Sequence, residues 1–361
     1  MNNNYKAIVI GAGPAGLGAA LALSRAGIEV DIYERQKEIG LQRRGETIRF
    51  SPEMEALLGK GFFESQTIHK INKRRYYSHS GKKLVDRTIS EYNLIIDWQC
   101  FIRAIAAVVE KSGARINTGT AVEGIVIEKG RARMVRLSGR DCPADLVYSC
   151  GGIDDLSSIL AGIDRSRLDR PAAKWILKNY GGPEDRLEYH FHAEDGRLAV
   201  GCIFPRGKGE AEIIILSLSN NWLPELEEFS SFHKIFSERI NGATVEYSLR
   251  TSIPMGGMIT ECMPAKGLFT AGDALGHVQA RGGSGIRTSF LISNACGVAG
   301  ANALRYGNWD RVPEIIRKNS HMKSLRIHNL IFSELRMLMF RPAATEQGMD
   351  ILWPAISAAL R

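Results

Sequence analysis

Residues 7–24 carry no charge, but their apolar pattern is broken by "GAGPAG". A membrane span or a signal peptide needs an uninterrupted apolar run. The break points instead to a strand over residues 7–10, a glycine turn, and a helix to about Ala26 that Gly27 stops, with a second strand over 28–33. In residues 97–112, Phe101, Ile105, Val108 and Val109 recur at helical spacing, and Gly113 follows as a stop. Short alternating strands such as "GIVIE" and "RMVRLSG" come next, and "ADLVYSC" returns to the sheet. Residues 62–95 and 170–250 are rich in β pattern: "RRYYSHSGKKLV" reads as a hairpin turning at Ser80-Gly81, and "AEIIILSLS" as a buried strand. Together they are expected to form one antiparallel sheet. From Trp309 onward, basic residues alternate with Leu, Ile, Met and Phe; Leu325, Leu330 and Phe332 fall near helical spacing and predict amphipathic helices.

The turn at "GAGPAG" carries the first chemistry. Gly11 makes the tight turn, Gly13 lets the main chain reach a pyrophosphate, and Gly16 allows the helix to pack closely on the strand. The helix N-terminus then points free N–H groups at the anion. An acid is expected at the end of the second strand to accept from ribose hydroxyls, and Glu34 sits there. This half alone suits FAD or NAD. The far segment "KGLFTAGDALGHVQARGGSGIRTSF" decides between them: a short strand over 268–270, Gly272-Asp273, then a glycine-rich loop into a helix near Gly285. In an FAD enzyme the ribityl chain crosses the sheet and needs a distal acid, the place of Asp273. Gly282, Gly283 and Gly285 let a helix N-terminus approach the flavin edge where negative charge collects on reduction.

These blocks, with "EIGLQRRGE" (38–46) and "IFPRG" (203–207), resemble the FAD-dependent geranylgeranyl reductase family, within the wider group of p-hydroxybenzoate hydroxylase-like flavoproteins. The resemblance covers roughly residues 5–305. It implies FAD contacts at Ala15, Glu34, Gly45, Val122, Asp273, Gly285 and Ile286. The chain also departs from the family. "RRG" (43–45) stands where reductases often carry a cysteine, Val200 and Cys202 replace two aromatic positions of a Y-x-W-x-F-P stretch, Trp98 replaces an arginine, and "CGG" (150–152) replaces "ADG".

The fold implied is α/β: a Rossmann-like, mostly parallel FAD-binding domain assembled from residues 1–61, 96–165 and 251–305. An antiparallel β substrate domain (62–95 and 166–250) is inserted, and a helical C-terminal region covers 306–361. Its function would be reduction of C=C bonds in a polyprenyl, geranylgeranyl-type lipid by hydride from reduced flavin, with a proton donor for the other carbon; Cys202 and His277 are the candidates. An aromatic or polyketide monooxygenase is the alternative, and a non-catalytic flavin or lipid carrier a third. A halogenase is disfavoured by the missing W-x-W-x-I-P. With no second G-x-G-x-x-G after a strand, electrons would come from transiently bound NAD(P)H or a reduced carrier. No H-E-x-x-H, G-x-S-x-G or cysteine cluster suggests other chemistry, and no metal site is expected.

Composition changes little: 361 residues, 44% hydrophobic and 24% charged, suit a soluble globular chain. Six scattered cysteines read as reduced thiols and a cytoplasmic setting. Net charge is +8 and unevenly spread: residues 70–87 hold seven Lys or Arg against Asp86, and residues 305–341 hold eight against three acids. A solvated basic face is the plain reading. Such patches also suit a phosphate-bearing lipid substrate or peripheral membrane contact through the C-terminal region; no nucleic acid is expected.

Overall fold

A computed structural model describes residues 5–156, 169–194, 197–218, 222–280 and 282–340. The chain opens with β1 (Lys6–Ile10), α1 (Pro14–Arg25) and β2 (Glu29–Tyr33). Pro14 occupies the first turn of α1, where its missing N–H has no intrahelical partner to lose. β3 (Thr47–Arg49), α2 (Pro52–Leu58) and α3 (Phe62–Gln66) lead into the hairpin β4 (Thr67–Tyr77) and β5 (Lys83–Ile96), whose turn contains Ser80-Gly81. α4 (Trp98–Lys111) begins at Asp97, whose carboxylate accepts from Cys100 N at 3.0 Å. Its stripe Phe101, Ile102, Ile105 and Val109 is buried, each side chain contributing roughly 1.5–3 kcal/mol.

β6 (Arg115–Asn117) is followed by a meander of β7 (Val122–Glu128), β8 (Arg131–Leu137) and β9 (Arg140–Pro143), then β10 (Leu146–Ser149). Four long strands come next: β11 (Arg170–Lys178), β12 (Arg186–Glu194), β13 (Arg197–Gly207) and β14 (Glu210–Ser217). Short helices α5 (Leu226–Phe232) and α6 (Lys234–Ile240) precede β15 (Thr244–Ile253). β16 (Leu268–Thr270), α7 (Ile286–Tyr306), α8 (Val312–Lys318) and α9 (Ser320–Phe340) complete the described chain. The expected helical tail is present to residue 340; residues 341–361 of it lie outside the described residues.

A five-stranded sheet, β16-β10-β1-β2-β6, is parallel throughout. Successive residues of β1 serve its two faces, as the pleat requires. Ala7 and Val9 pack into the core with α1, α4 and α7, while Ile8 and Ile10 pack with Ile125, Val135 and Leu137 of the meander. Both faces are covered, which is why this part of the sequence reads as continuous apolar runs.

The second sheet has eight strands in the order β15-β11-β14-β13-β12-β4-β5-β3. One antiparallel sheet was the expectation; it is antiparallel except between β12 and β4, which run parallel from Arg186↔Lys73 to His190↔Tyr77. The reason is topological. Each strand belongs to its own antiparallel hairpin, and two hairpins meeting edge to edge have no turn between them to set their relative direction. One face carries Val200, Cys202, Phe204, Ile214 and Leu216. The other carries Trp175, Ala199, Ile203, Ile213 and Ile215, packed under Phe229 of α5 and Phe236 of α6.

Candidate functional site

A cavity of about 1300 Å³ lies between the two sheets. Its size exceeds the roughly 300–1,000 Å³ of an ordinary ligand pocket, so it has room for more than one small molecule. One end is built by the β1–α1 turn. Gly11 N donates to Tyr33 O at 2.8 Å, tying the turn to the end of β2. Beyond it, Glu34 Oε2 accepts from Ala12 N and Oε1 from Gln36 N, both at 2.8 Å, which fixes the carboxylate at the cavity edge.

The turn can be tested for fit to a dinucleotide by asking what a methyl group would meet. At Gly16 a Cβ would lie 1.9 Å from Gly11 O, so close packing of the helix forbids any side chain. At Gly13 it would meet nothing within 4 Å, yet Gly13 lines the cavity. Packing within the protein therefore explains Gly16 but not Gly13, whereas a pyrophosphate laid against the main chain explains Gly13.

Opposite, β16 ends in a 3₁₀ turn, Gly272–Leu275, that brings Asp273 to the cavity, and α7 starts beside it with Gly285 as N-cap. Of the residues singled out from the sequence, Gly11, Gly13, Ala15, Glu34, Gly45, Val122, Gly272, Asp273, Gly283, Gly285 and Ile286 line this one cavity; Gly16 lies behind it. Strand register alone suggested Val122, and it stands at the start of β7 on the cavity wall.

The two candidate proton donors part company. His277 is fully buried and does not line the cavity. Its Nδ1 accepts from Gly272 N at 3.2 Å and its Nε2 lies 3.2 Å from Ile259 O, so the ring braces the turn that carries Asp273. Cys202 lines the cavity from the middle of β13. Burial, with the Glu212 charge added, pushes its thiol pKa up and keeps it protonated.

Sequence reasoning missed the charges on the cavity floor. Lys174 of β11 and Glu212 of β14 are buried on the same sheet face, with Nζ 2.8 Å from Oε1. Lys174 also lies 3.6 Å from Glu46 and donates to Arg44 O. Glu46 is bound in turn by Arg43 at 2.9 Å and by Arg206, and both arginines reach Asp97 at 3.3 Å. Desolvation lowers the Lys174 pKa against the pull of Glu212. A signal was present: a lone lysine inside "PAAKWIL" and a lone glutamate inside "AEIIIL" each interrupt an apolar run.

From that floor the wall becomes apolar. Val200, Cys202, Phe204, Ile214 and Leu216 face the cavity from the large sheet, joined by Tyr189 and Phe191 of β12. The two departures from the aromatic stretch, Val200 and Cys202, thus both fall on the cavity wall. Arg49, Arg74 and Arg287 line the same space, Arg74 buried and Arg49 paired with Glu91 at 3.2 Å. Burial lowers the Arg49 pKa, and the like charges of Arg74 and Arg287 lower it further. Arg74 donates to Asn93 Oδ1 at 2.7 Å, but its Nε is buried without a hydrogen-bond partner among the described residues.

Fold and site together define a Rossmann-type flavoprotein oxidoreductase. Residues 9–60 match the NAD(P)-binding Rossmann-like domain model. Over most of its length the chain is similar to proteins named digeranylgeranylglycerophospholipid reductase. That of Methanosarcina acetivorans is 26% identical, covering 88% of this chain and 81% of the relative, and that of Methanocaldococcus jannaschii is 21% identical, covering 100% and 92%. Among solved structures, a geranylgeranyl bacteriochlorophyll reductase-like protein of Thermoplasma acidophilum shares the fold. Its TM-score is 0.80 at 18% identity, covering 97% of this chain and 90% of that one. The resemblance read from the sequence motifs is thereby borne out.

Proposed function

We propose that the protein reduces C=C bonds in a geranylgeranyl-type phospholipid, using FAD held between the β1–α1 turn and the β16–α7 loop. The observation that carries this reading is the continuity of one cavity. The same cavity is lined by the residues that fit a dinucleotide, by an apolar sheet face, and by Arg49, Arg74 and Arg287. The names of the relatives point to the same substrate class.

When bound and reduced, FAD would supply the hydride, with NAD(P)H or a reduced carrier replenishing the electrons. Glu34 and Asp273 would hold the two ends of the cofactor, and the α1 N-terminus its pyrophosphate. Tyr189, Phe191, Val200 and Leu216 would orient the isoprenoid chain and exclude water. The protonated Cys202 thiol would give its proton to the second alkene carbon. Arg49, Arg74 and Arg287 would receive the lipid phosphate, for which guanidinium groups are suited.

A membrane-derived substrate also accounts for α9. His328 and Phe332 of this helix line the cavity, while Ile327, Leu330 and Ile331 are exposed beside Lys323 and Arg326. Apolar side chains flanked by cations suit a lipid surface. Among the described residues, no helix is long and apolar enough to cross a membrane.

The test is anaerobic. The photoreduced flavoprotein is mixed with a geranylgeranyl phospholipid, and the oxidised-flavin band near 450 nm, roughly that of any bound flavin, is followed. Its return without oxygen, with saturated lipid as product, supports the reductase. No return until oxygen is admitted, and then through a transient hydroperoxide-like absorbance, refutes it and favours the monooxygenase.

A further inference from the structure

On the far side of the eight-stranded sheet from the cavity, three histidines converge. His192 belongs to β12, where neighbouring side chains alternate between faces. Phe191 lines the cavity, and His192 points the other way, into the aromatic layer under α5 and α6, stacked on Phe232 at 4.6 Å. His79 comes from the β4–β5 turn and His233 from the junction of α5 and α6. Their ring centroids stand 4.8 to 5.6 Å apart, and one ligating atom from each lies within 4.8 Å of the others.

Ordinary core packing does not account for these rings. The Nδ1 atoms of His79 and His192 are buried without a hydrogen-bond partner among the described residues, and of the two buried ring nitrogens of His233 the His79 backbone can serve only one. An unsatisfied buried polar group is costly, and three at one place call for a common partner. No carboxylate is among the three ring contacts: the nearest buried acid on that face of β12, Glu188, is taken by Arg239 at 3.1 Å and lies 3.7 Å from His190.

From this convergence we propose that His79, His192 and His233 form a divalent transition-metal site of the zinc class, unconnected with the cofactor cavity. Three imidazoles are a known zinc donor set, with a fourth position for water. At Zn–N distances of about 2.0–2.1 Å, the nitrogens on one ion stand roughly 3.3–3.5 Å apart, so loading draws the rings together by about 1 Å. His79 is the half-buried member and lies on a turn, which gives it the freedom to close and leaves the open side for water. The ion would clasp three segments, around residues 79, 192 and 233, onto the back of the sheet whose front lines the cavity.

The experiment uses the purified flavoprotein, stripped with chelator and dialysed against Zn²⁺ alone. Metal per protein is then measured by atomic emission, with thermal unfolding in parallel. One equivalent of zinc and a raised Tm are expected for the wild type and for the control His321→Ala. Zinc affinity should drop about 100-fold or more in His79→Ala and His79→Asn, a loss at least as large as that from removing a supporting residue. The two variants guard against a folding defect, since each must keep its flavin absorbance and circular dichroism to be counted. Absence of stoichiometric zinc in the wild type, or binding that survives both substitutions, overturns the proposal.

Discussion

Lys174 Nζ and Glu212 Oε1 meet at 2.8 Å on adjacent strands, β11 and β14, with both side chains almost completely shielded from water. Removing one member of a buried pair leaves the other charge uncompensated. Lys174→Met should therefore destabilise the protein by about 3–5 kcal/mol, and adding Glu212→Gln should restore part of the loss, as read by thermal unfolding. An additive double variant would show that the two charges do not interact.

The same lysine predicts a pH dependence. Its folded pKa lies below the 10.5 of an exposed lysine. Between those two values the unfolded chain binds the extra proton, so this group makes stability rise with pH across the window that ends near 10.5. Unfolding curves at a series of alkaline pH values should show wild type gaining on Lys174→Met; a constant difference would count against the lowered pKa.

Two glycines of one turn separate packing from cofactor binding. Gly16→Ala should fail to fold well, because its methyl has no space beside Gly11 O. Gly13→Ala, with open space and an ordinary φ of −81°, should leave the unfolding temperature of flavin-free protein unchanged while sharply reducing flavin retained on purification. Asp273→Ala should likewise lose flavin. Full flavin occupancy in Gly13→Ala or Asp273→Ala would displace the cofactor from the place proposed.

Val200→Trp would add bulk beside Phe191, its cross-strand partner on β12, on the sheet face that lines the cavity. Photoreduction of the flavin should be unaffected while anaerobic reoxidation by the geranylgeranyl lipid slows. If both steps kept their wild-type rates, the lipid would not lie along β13.

Arg74→Gln should raise KM for a phosphate-bearing lipid by roughly ten- to a hundredfold, consistent with losing one charge-assisted hydrogen bond of roughly 1.5–3 kcal/mol. It should have little effect on kcat and little on the corresponding alcohol. Equal effects on the phosphorylated and neutral lipids would remove the headgroup role.

Legibility in the sequence followed contact range. The β1–α1–β2 unit, the place of Glu34 after β2, the turn that carries Asp273 and the start of α7 at Gly285 were readable because each rests on neighbours a few residues away, and strand, turn and helix signals are local. The β4–β5 hairpin was readable for the same reason. The parallel junction of β12 with β4 was not, since it joins segments more than a hundred residues apart through backbone bonds that any side chains allow. Lys174 and Glu212 could be seen only as two unexplained charges in apolar strands, and His79, His192 and His233 only as isolated histidines. Their chemistry arises from tertiary approach.

The parallel sheet closes late in the chain. β16, residues 268–270, is the edge strand beside β10, and α7 lies against α1 so closely that a Cβ at Gly18 would come 2.3 Å from Phe290 O. During synthesis, the glycine turn and Glu34 emerge within the first tenth of the protein, whereas α7, the helix packed most extensively on α1, belongs to the last third. Domains ordinarily fold from the N-terminal end as they leave the ribosome. Here the cavity that joins the glycine turn to Asp273 and Gly285 is complete only once residues 268–286 have been made, so a cofactor spanning both ends would be captured by the nearly finished chain.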